Sequence, residues 1–193
     1  MLRKFAVAAC LSLGTLAYGT SSAAVLACPA NISTLVTGSD ACQYTADVAQ
    51  DLVNAIPFTV NQQAFFGFTD WQFDSRIFET ATGQGGQGGN WDITSIFDNT
   101  WTDVMLIFKG GADAQFDMNG LVGYLLEDGA LSGTWQSPFR NPPFTDLGLT
   151  QTQNTLHISV YFRSPDGKVA EPATLVLLAF GLAGLGFARR RHR

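Results

Sequence analysis

Val104-Met105-Leu106-Ile107-Phe108 is an unbroken apolar run. A strand with one face in water alternates apolar and polar side chains, so a continuous run predicts a strand covered on both faces. C-terminal to it, Leu121-Val-Gly-Tyr-Leu-Leu126 follows a Met-Asn-Gly turn, and Leu131-Ser-Gly-Thr-Trp135 is a short third run. Leu156, Ile158, Val160 and Phe162 then alternate with His157, Ser159 and Tyr161. N-terminal to it, Trp91, Ile93 and Phe97 share a face at period two, and Trp71 and Phe73 alternate with polar residues after Ala64-Phe-Phe-Gly-Phe68. No ten-residue window between 60 and 165 reads as an amphipathic helix. Short strands punctuated by Gly, Asn-Gly and Pro predict an all-β fold, an antiparallel β-sandwich of jelly-roll type.

The remaining stretches read as connections. Cys28 to Thr59 is polar and predicts edge strands and loops. Gly83-Gln-Gly-Gly-Gln-Gly-Gly89 has no side chain able to bury apolar surface and predicts a mobile loop. It lacks the Lys-Ser/Thr ending of a phosphate-binding loop. Ser137-Pro-Phe-Arg-Asn-Pro-Pro-Phe144 predicts a proline-stiffened, exposed connector.

The 193 residues leave one domain of ordinary size between two special ends. Between Cys28 and Lys168 five basic residues (Arg76, Lys109, Arg140, Arg163, Lys168) stand against fifteen acidic ones, a net charge of −10. Such a surface repels nucleic acid and anionic lipid, so neither is expected as a partner of the domain.

Residues 1–24 have the anatomy of a secretory signal peptide, with a predicted signal helix. Arg3 and Lys4 form the basic region, Phe5 to Tyr18 the apolar run, and Ser22-Ala23-Ala24 the small residues of a cleavage site. Cleavage is expected after Ala24, with Ala23 and Ala27 as alternatives. The mature chain then keeps Cys28 and Cys42, and export to an oxidising compartment predicts a disulfide between them. Closing that loop is worth roughly 3 kcal/mol on the chain-entropy model.

The other end, residues 169–193, has three parts. Ala170-Glu171-Pro172 is polar punctuation, because Pro172 disfavours a helix running through it. Residues 173–188 carry no charge and predict a transmembrane helix about 24 Å long, shorter than the roughly 30 Å hydrocarbon core. Arg189, Arg190, Arg191 and Arg193 follow and, by the positive-inside rule, form a cytoplasmic anchor that leaves the domain of residues 25–168 outside.

This order of parts resembles the PEP-CTERM sorting tail of exported bacterial proteins. The Glu-Pro-Ala-Thr start, the Leu/Ala/Gly-rich helix, Gly-Leu-Gly-Phe-Ala and the arginine cluster carry the likeness; Ala170 stands where the family usually has Pro. The resemblance implies recognition by an exosortase-type transpeptidase, cleavage near residues 170–172, and release or attachment at the surface of an exopolysaccharide-producing cell. A softer likeness links Trp91 to Phe162 to the bodies of uncharacterised PEP-CTERM proteins. It rests on Gly-Asn-Trp at 89–91, Trp-Thr-Asp-Val-Met-Leu-Ile-Phe-Lys-Gly-Gly at 101–111 and Ser-Gly-Thr-Trp at 132–135, and it implies no activity.

Few residues of the domain suggest chemistry. His157 is the only histidine outside the tail and is expected to be solvated or locally hydrogen-bonded opposite the apolar face of its strand, and there is no Gly-x-Ser-x-Gly. Carboxylates are plentiful, as on any acidic β-domain, and do not single out a glycosidase. Asp113, Asp117 and Asn119 have calcium-ligand chemistry, but their spacing is not that of an EF-hand and Asn119-Gly120 reads better as a hairpin turn. Trp71 and Trp91 are expected in the core. Trp101 and Trp135, near strand ends, are the candidates for exposed sugar-stacking rings. The sequence therefore predicts a non-catalytic surface or matrix protein without cofactor or metal, exported by the secretion machinery and sorted through its tail. A carbohydrate-binding module for exopolysaccharide is the alternative, and a secreted hydrolase a distant third.

Overall fold

A computed structural model describes residues 25–45, 50–79, 86–110, 120–144 and 152–165. Both special ends, the Asp113–Asn119 stretch and residues 83–85 of the glycine run lie outside the described residues.

Among the described residues, eight strands and two short helices follow in chain order. They are β1 (Leu26–Ala27), α1 (Ala30–Ser33), β2 (Ser39–Thr45), α2 (Thr59–Gln62), β3 (Gln72–Glu79), β4 (Gly88–Asp92), β5 (Asp103–Gly110), β6 (Leu121–Leu126), β7 (Ser132–Gln136) and β8 (Thr155–Arg163). A 3-10 turn at Phe65–Gly67 precedes β3. Six strands form one sheet in the order β1-β2-β6-β5-β8-β3, and β4 pairs with β7 in a separate ribbon. Every pairing is antiparallel.

The run at 104–108 lies inside β5, near the middle of the large sheet, and all five residues are buried. Register sets which side chains share a face, because successive residues point to opposite sides. Leu106 pairs with Tyr124 of β6 and Val160 of β8, and Phe108 pairs with Val122 and Ile158; these define the first face. Met105 pairs with Leu125 and Tyr161, and Ile107 with Gly123 and Ser159; these define the second.

Different structures cover the two faces. On the first, the β4–β7 ribbon contributes Trp91 and Trp135, α1 contributes Ile32, and the connector after β7 contributes Phe139 and Phe144. On the second, the segment from α2 to the start of β3 contributes Val60, Phe65 and Trp71. The all-β, antiparallel character is as the sequence predicts. The second sheet, however, is only two strands wide, and coil and single helical turns do the rest of the covering.

Two expectations about connections are corrected. Gly86 to Gly89 does not form a free loop: Gly86 bridges Thr155, and Gly88 and Gly89 pair with Gln136 and Trp135. The lack of side chains is what places them there. A Cβ at Gly86 would lie 2.9 Å from the Phe78 ring and 3.3 Å from Trp135, and one at Gly89 would lie 3.2 Å from Trp135 Nε1, so the indole packs directly on glycine backbone. Nor is residues 137–144 an exposed connector, since Ser137 and Phe139 are fully buried and Phe144 nearly so. Its aromatic residues fill the core edge that the narrow ribbon leaves open.

At the start of the domain, Cys28 is disulfide-bonded to Cys42 of β2, with the Cα atoms 5.3 Å apart. The bond ties the two-residue β1 and the first turn to the sheet. The Cys28→Ser/Cys42→Ser double variant is expected to lose about 3 kcal/mol of unfolding free energy, read from urea denaturation; an unchanged midpoint would show that the crosslink contributes nothing.

Candidate functional site

The alternation of β8 places His157, Ser159 and Tyr161 on its second face. That face is covered, so His157 is buried (6% exposed), neither solvated nor, at Nε2, locally hydrogen-bonded as its alternation suggested. The covering residue at this point is Asp51, whose side chain is fully buried. Ser159 Oγ donates to Asp51 Oδ2 at 2.6 Å and Tyr161 Oη donates to Oδ1 at 2.6 Å. His157 Nε2 lies 3.5 Å from Oδ2 and has no hydrogen-bond partner among the described residues. Burial, reinforced by the Asp51 charge, drives the Tyr161 phenol pKa upward, so Tyr161 stays a donor.

Asp, His and Ser are the residue types of a hydrolytic triad, but their order here differs. In a triad the imidazole stands between hydroxyl and carboxylate and takes the hydroxyl proton. Here the carboxylate stands in the middle and the serine hydroxyl donates to it directly. Asp51 acts as a tie that fastens the chain before α2 to the central strands through two charge-assisted hydrogen bonds. Nothing in the sequence around Asp51 marks it, because both partners lie more than 100 residues away.

The two tryptophans expected at exposed strand ends diverge. Trp135 is 2% exposed and belongs to the core, edge-on to Phe78 (5.0 Å between centroids) and Phe108 (5.7 Å). Its strand end is covered by the glycines of β4, which local sequence does not reveal. Trp101 is half-buried. It stacks on Phe162 at 4.3 Å with planes 7° apart, and Phe97 meets it edge-on at 5.7 Å. Trp71 and Trp91 are buried as expected, their indole N–H groups donating to Phe65 O and Thr37 O.

Beside Phe162, Arg163 ends β8 in a second polar cluster. Its guanidinium donates to both Asp70 carboxylate oxygens, at 2.7 and 3.1 Å, and to Asp103 Oδ2 at 2.8 Å, and it lies 3.6 Å from the Phe68 ring centroid. The hydrogen bonds from Arg163 hold the Asp70 carboxyl below the usual carboxylate range. Among the described residues no group of three or more His, Cys, Asp or Glu is placed to hold a metal ion. The candidate ligands Asp113, Asp117 and Asn119 lie outside them.

Asp51→Ala would leave the Ser159 and Tyr161 hydroxyls buried without an acceptor. The expected loss is about 3 kcal/mol of unfolding free energy, measured by urea denaturation; a variant as stable as the parent would show that the covering segment is held by packing alone.

The remaining sequence candidates lie outside the described residues: Ala24, the tripeptide Ala170, Glu171 and Pro172, the apolar stretch 173–188, and Arg189, Arg190, Arg191 and Arg193. Among the described residues no helix is long and apolar enough to cross a membrane. Comparison with curated proteins and with solved structures found no match. Residues 169–191 match the model of the PEP-CTERM protein-sorting motif. The chain therefore carries a PEP-CTERM sorting motif, the signal of an exported protein handled by an exosortase-type system.

Proposed function

We propose that this is a cell-surface or extracellular-matrix protein of an exopolysaccharide-producing bacterium, with a structural or adhesive and non-catalytic role. The carrying observation is the sorting-motif match at 169–191. In this reading the secretion machinery delivers the chain and the apolar stretch 173–188 holds it as a single-pass intermediate, domain outside and arginines in the cytoplasm. An exosortase-like transpeptidase then acts near Glu171-Pro172. The domain suits that route: it is disulfide-stapled and acidic, and its first described residues belong to the fold. Leu26 and Ala27 form β1 and Val25 packs against the second-face core, which favours signal cleavage after Ala24 over Ala27, since the later cut would remove β1.

A second reading, a carbohydrate-binding module, has one observation in its favour. Trp101 is half-buried and backed by Phe162, so its ring is held in one orientation. Trp135 no longer supports it, being core.

Intact mass of the protein from its native cells tests the first reading. A species beginning at Val25 and ending near residues 170–172 is expected in the surface or released fraction; a species retaining Arg193, found only in membranes, would contradict sorting. For the second, Trp101→Ala is expected to lower binding to the cell's own polysaccharide at least tenfold in a pull-down, about 1.4 kcal/mol, with the melting transition still cooperative. No binding by the parent protein would dispose of it.

A further inference from the structure

Trp101 stands just before β5, at the end of the large sheet where β5 and β2 begin and β6 and β8 finish. Its backbone is fixed by a β-turn, in which its amide donates to Asp98 O at 2.9 Å. Such a turn brings its first and last Cα atoms within about 7 Å of each other. The exposed Asp98 carboxylate and the half-buried indole therefore belong to one small surface. Asp98 Oδ1 accepts from the Thr100 amide at 2.8 Å, and that bond holds the carboxyl below the usual carboxylate range.

Charge is distributed unevenly over the domain. Asp40, Asp98, Glu127 and Asp128 are all exposed at this end of the sheet, and none has an ion-pair partner among the described residues. Asp70 and Asp103 are here too, sharing Arg163. Arg163 is the one described basic residue at this end. Arg76 and Lys109 lie opposite Ser159 and His157, further back along β8, and Arg140 follows β7. The carboxylates alone would select only a sign of charge. Trp101 adds shape: a planar apolar ring, held flat on Phe162 at 4.3 Å, on which a sugar ring can stack. Indole is also the side-chain ring that attracts a cation most strongly.

We propose that the Trp101 surface binds a polysaccharide built of amino sugars whose amines are free and protonated. The proposal rests on the carbohydrate-binding reading above and narrows it to a cationic glycan. The indole stacks on the sugar ring and attracts its ammonium group, Asp98 accepts from that group, and the surrounding carboxylates draw the polymer in. A uronic-acid polymer offers similar rings with the wrong charge, and an N-acetylated polymer offers them with none.

The test uses the protein isolated from its native cells, at mildly acidic pH where the amines are charged. Soluble oligomers of glucosamine, N-acetylglucosamine and glucuronic acid, matched in length, are the probes, and affinity is read by calorimetry. The glucosamine oligomer is expected to bind about tenfold more tightly than the N-acetylated one, and the uronate not at all. Raising the ionic strength from about 0.01 to about 0.15 M, which shortens the Debye length from ~30 to ~8 Å, is expected to narrow that preference. Trp101→Ala is expected to weaken both sugars about tenfold. Asp98→Asn keeps an acceptor for the Thr100 amide, so the turn persists. It is expected to weaken the glucosamine oligomer about threefold and to leave the N-acetylated one unchanged, which keeps the proposal testable even if Trp101→Ala does not fold. Equal or tighter binding of the N-acetylated or uronate oligomer, or an unchanged preference in Asp98→Asn, would overturn the proposal while the carbohydrate-binding reading stands. Failure of all three oligomers to bind would remove both. Oligolysine bound as tightly as the glucosamine oligomer, and undiminished in Trp101→Ala, would also overturn the proposal and mark the surface as one for a basic protein.

Discussion

Burial of β5 and β8 on both faces is the constraint on which the rest of the domain depends. Strands apolar on both sides are stable only when each side is shielded from water, and a single sheet has no second layer of its own. The chain meets the requirement unevenly. A two-stranded ribbon with α1 and the 137–144 connector shields one face, and a segment without strands shields the other. Neither cover has a core of its own, so each depends on a few large side chains and polar ties that fix it to the sheet.

The ties on the second face form a consistent set. Asp51 receives two hydroxyl donors from β8. Asn61 of α2 exchanges two hydrogen bonds with the Trp71 backbone, each 2.8 Å, and Gln43 of β2 accepts from the Phe66 amide at 2.6 Å. Polar side chains placed by α2 and the sheet thus satisfy the irregular backbone that wraps them, as burial demands. On the first face the same task falls to close approach. Trp135 lies on glycine backbone, and Trp91 reaches Thr37 O past Gly133, where a Cβ would lie 2.6 Å from the indole nitrogen. Aromatic residues here serve chiefly as packing, and Trp101 alone of the four tryptophans keeps part of its surface in water.

β1 begins beside the expected signal-cleavage site, and β8 stops six residues before the sorting motif. A disulfide near the first strand and an arginine clamp at the end of the last one fasten the two limits of the described domain.

The sequence by itself determined what is local or periodic. The apolar run at 104–108 and the alternation at 156–162 located the central strands, and the proximity of Cys28 and Cys42 located the crosslink. The order of Glu171-Pro172, apolar stretch and arginines located the sorting motif, because that motif is a run of residues adjacent in the chain. The tertiary structure decided everything that depends on residues far apart. Side-chain period says that two faces exist but not that both are covered, so His157 reads as solvated until Asp51 is placed against it. Glycines read as flexible until an indole is found packed on them, and a strand-end tryptophan reads as exposed until those glycines cover it. Arg163 is silent in the sequence because Asp70 and Asp103 lie 93 and 60 residues away, and only the folded sheet brings those charges within hydrogen-bonding distance.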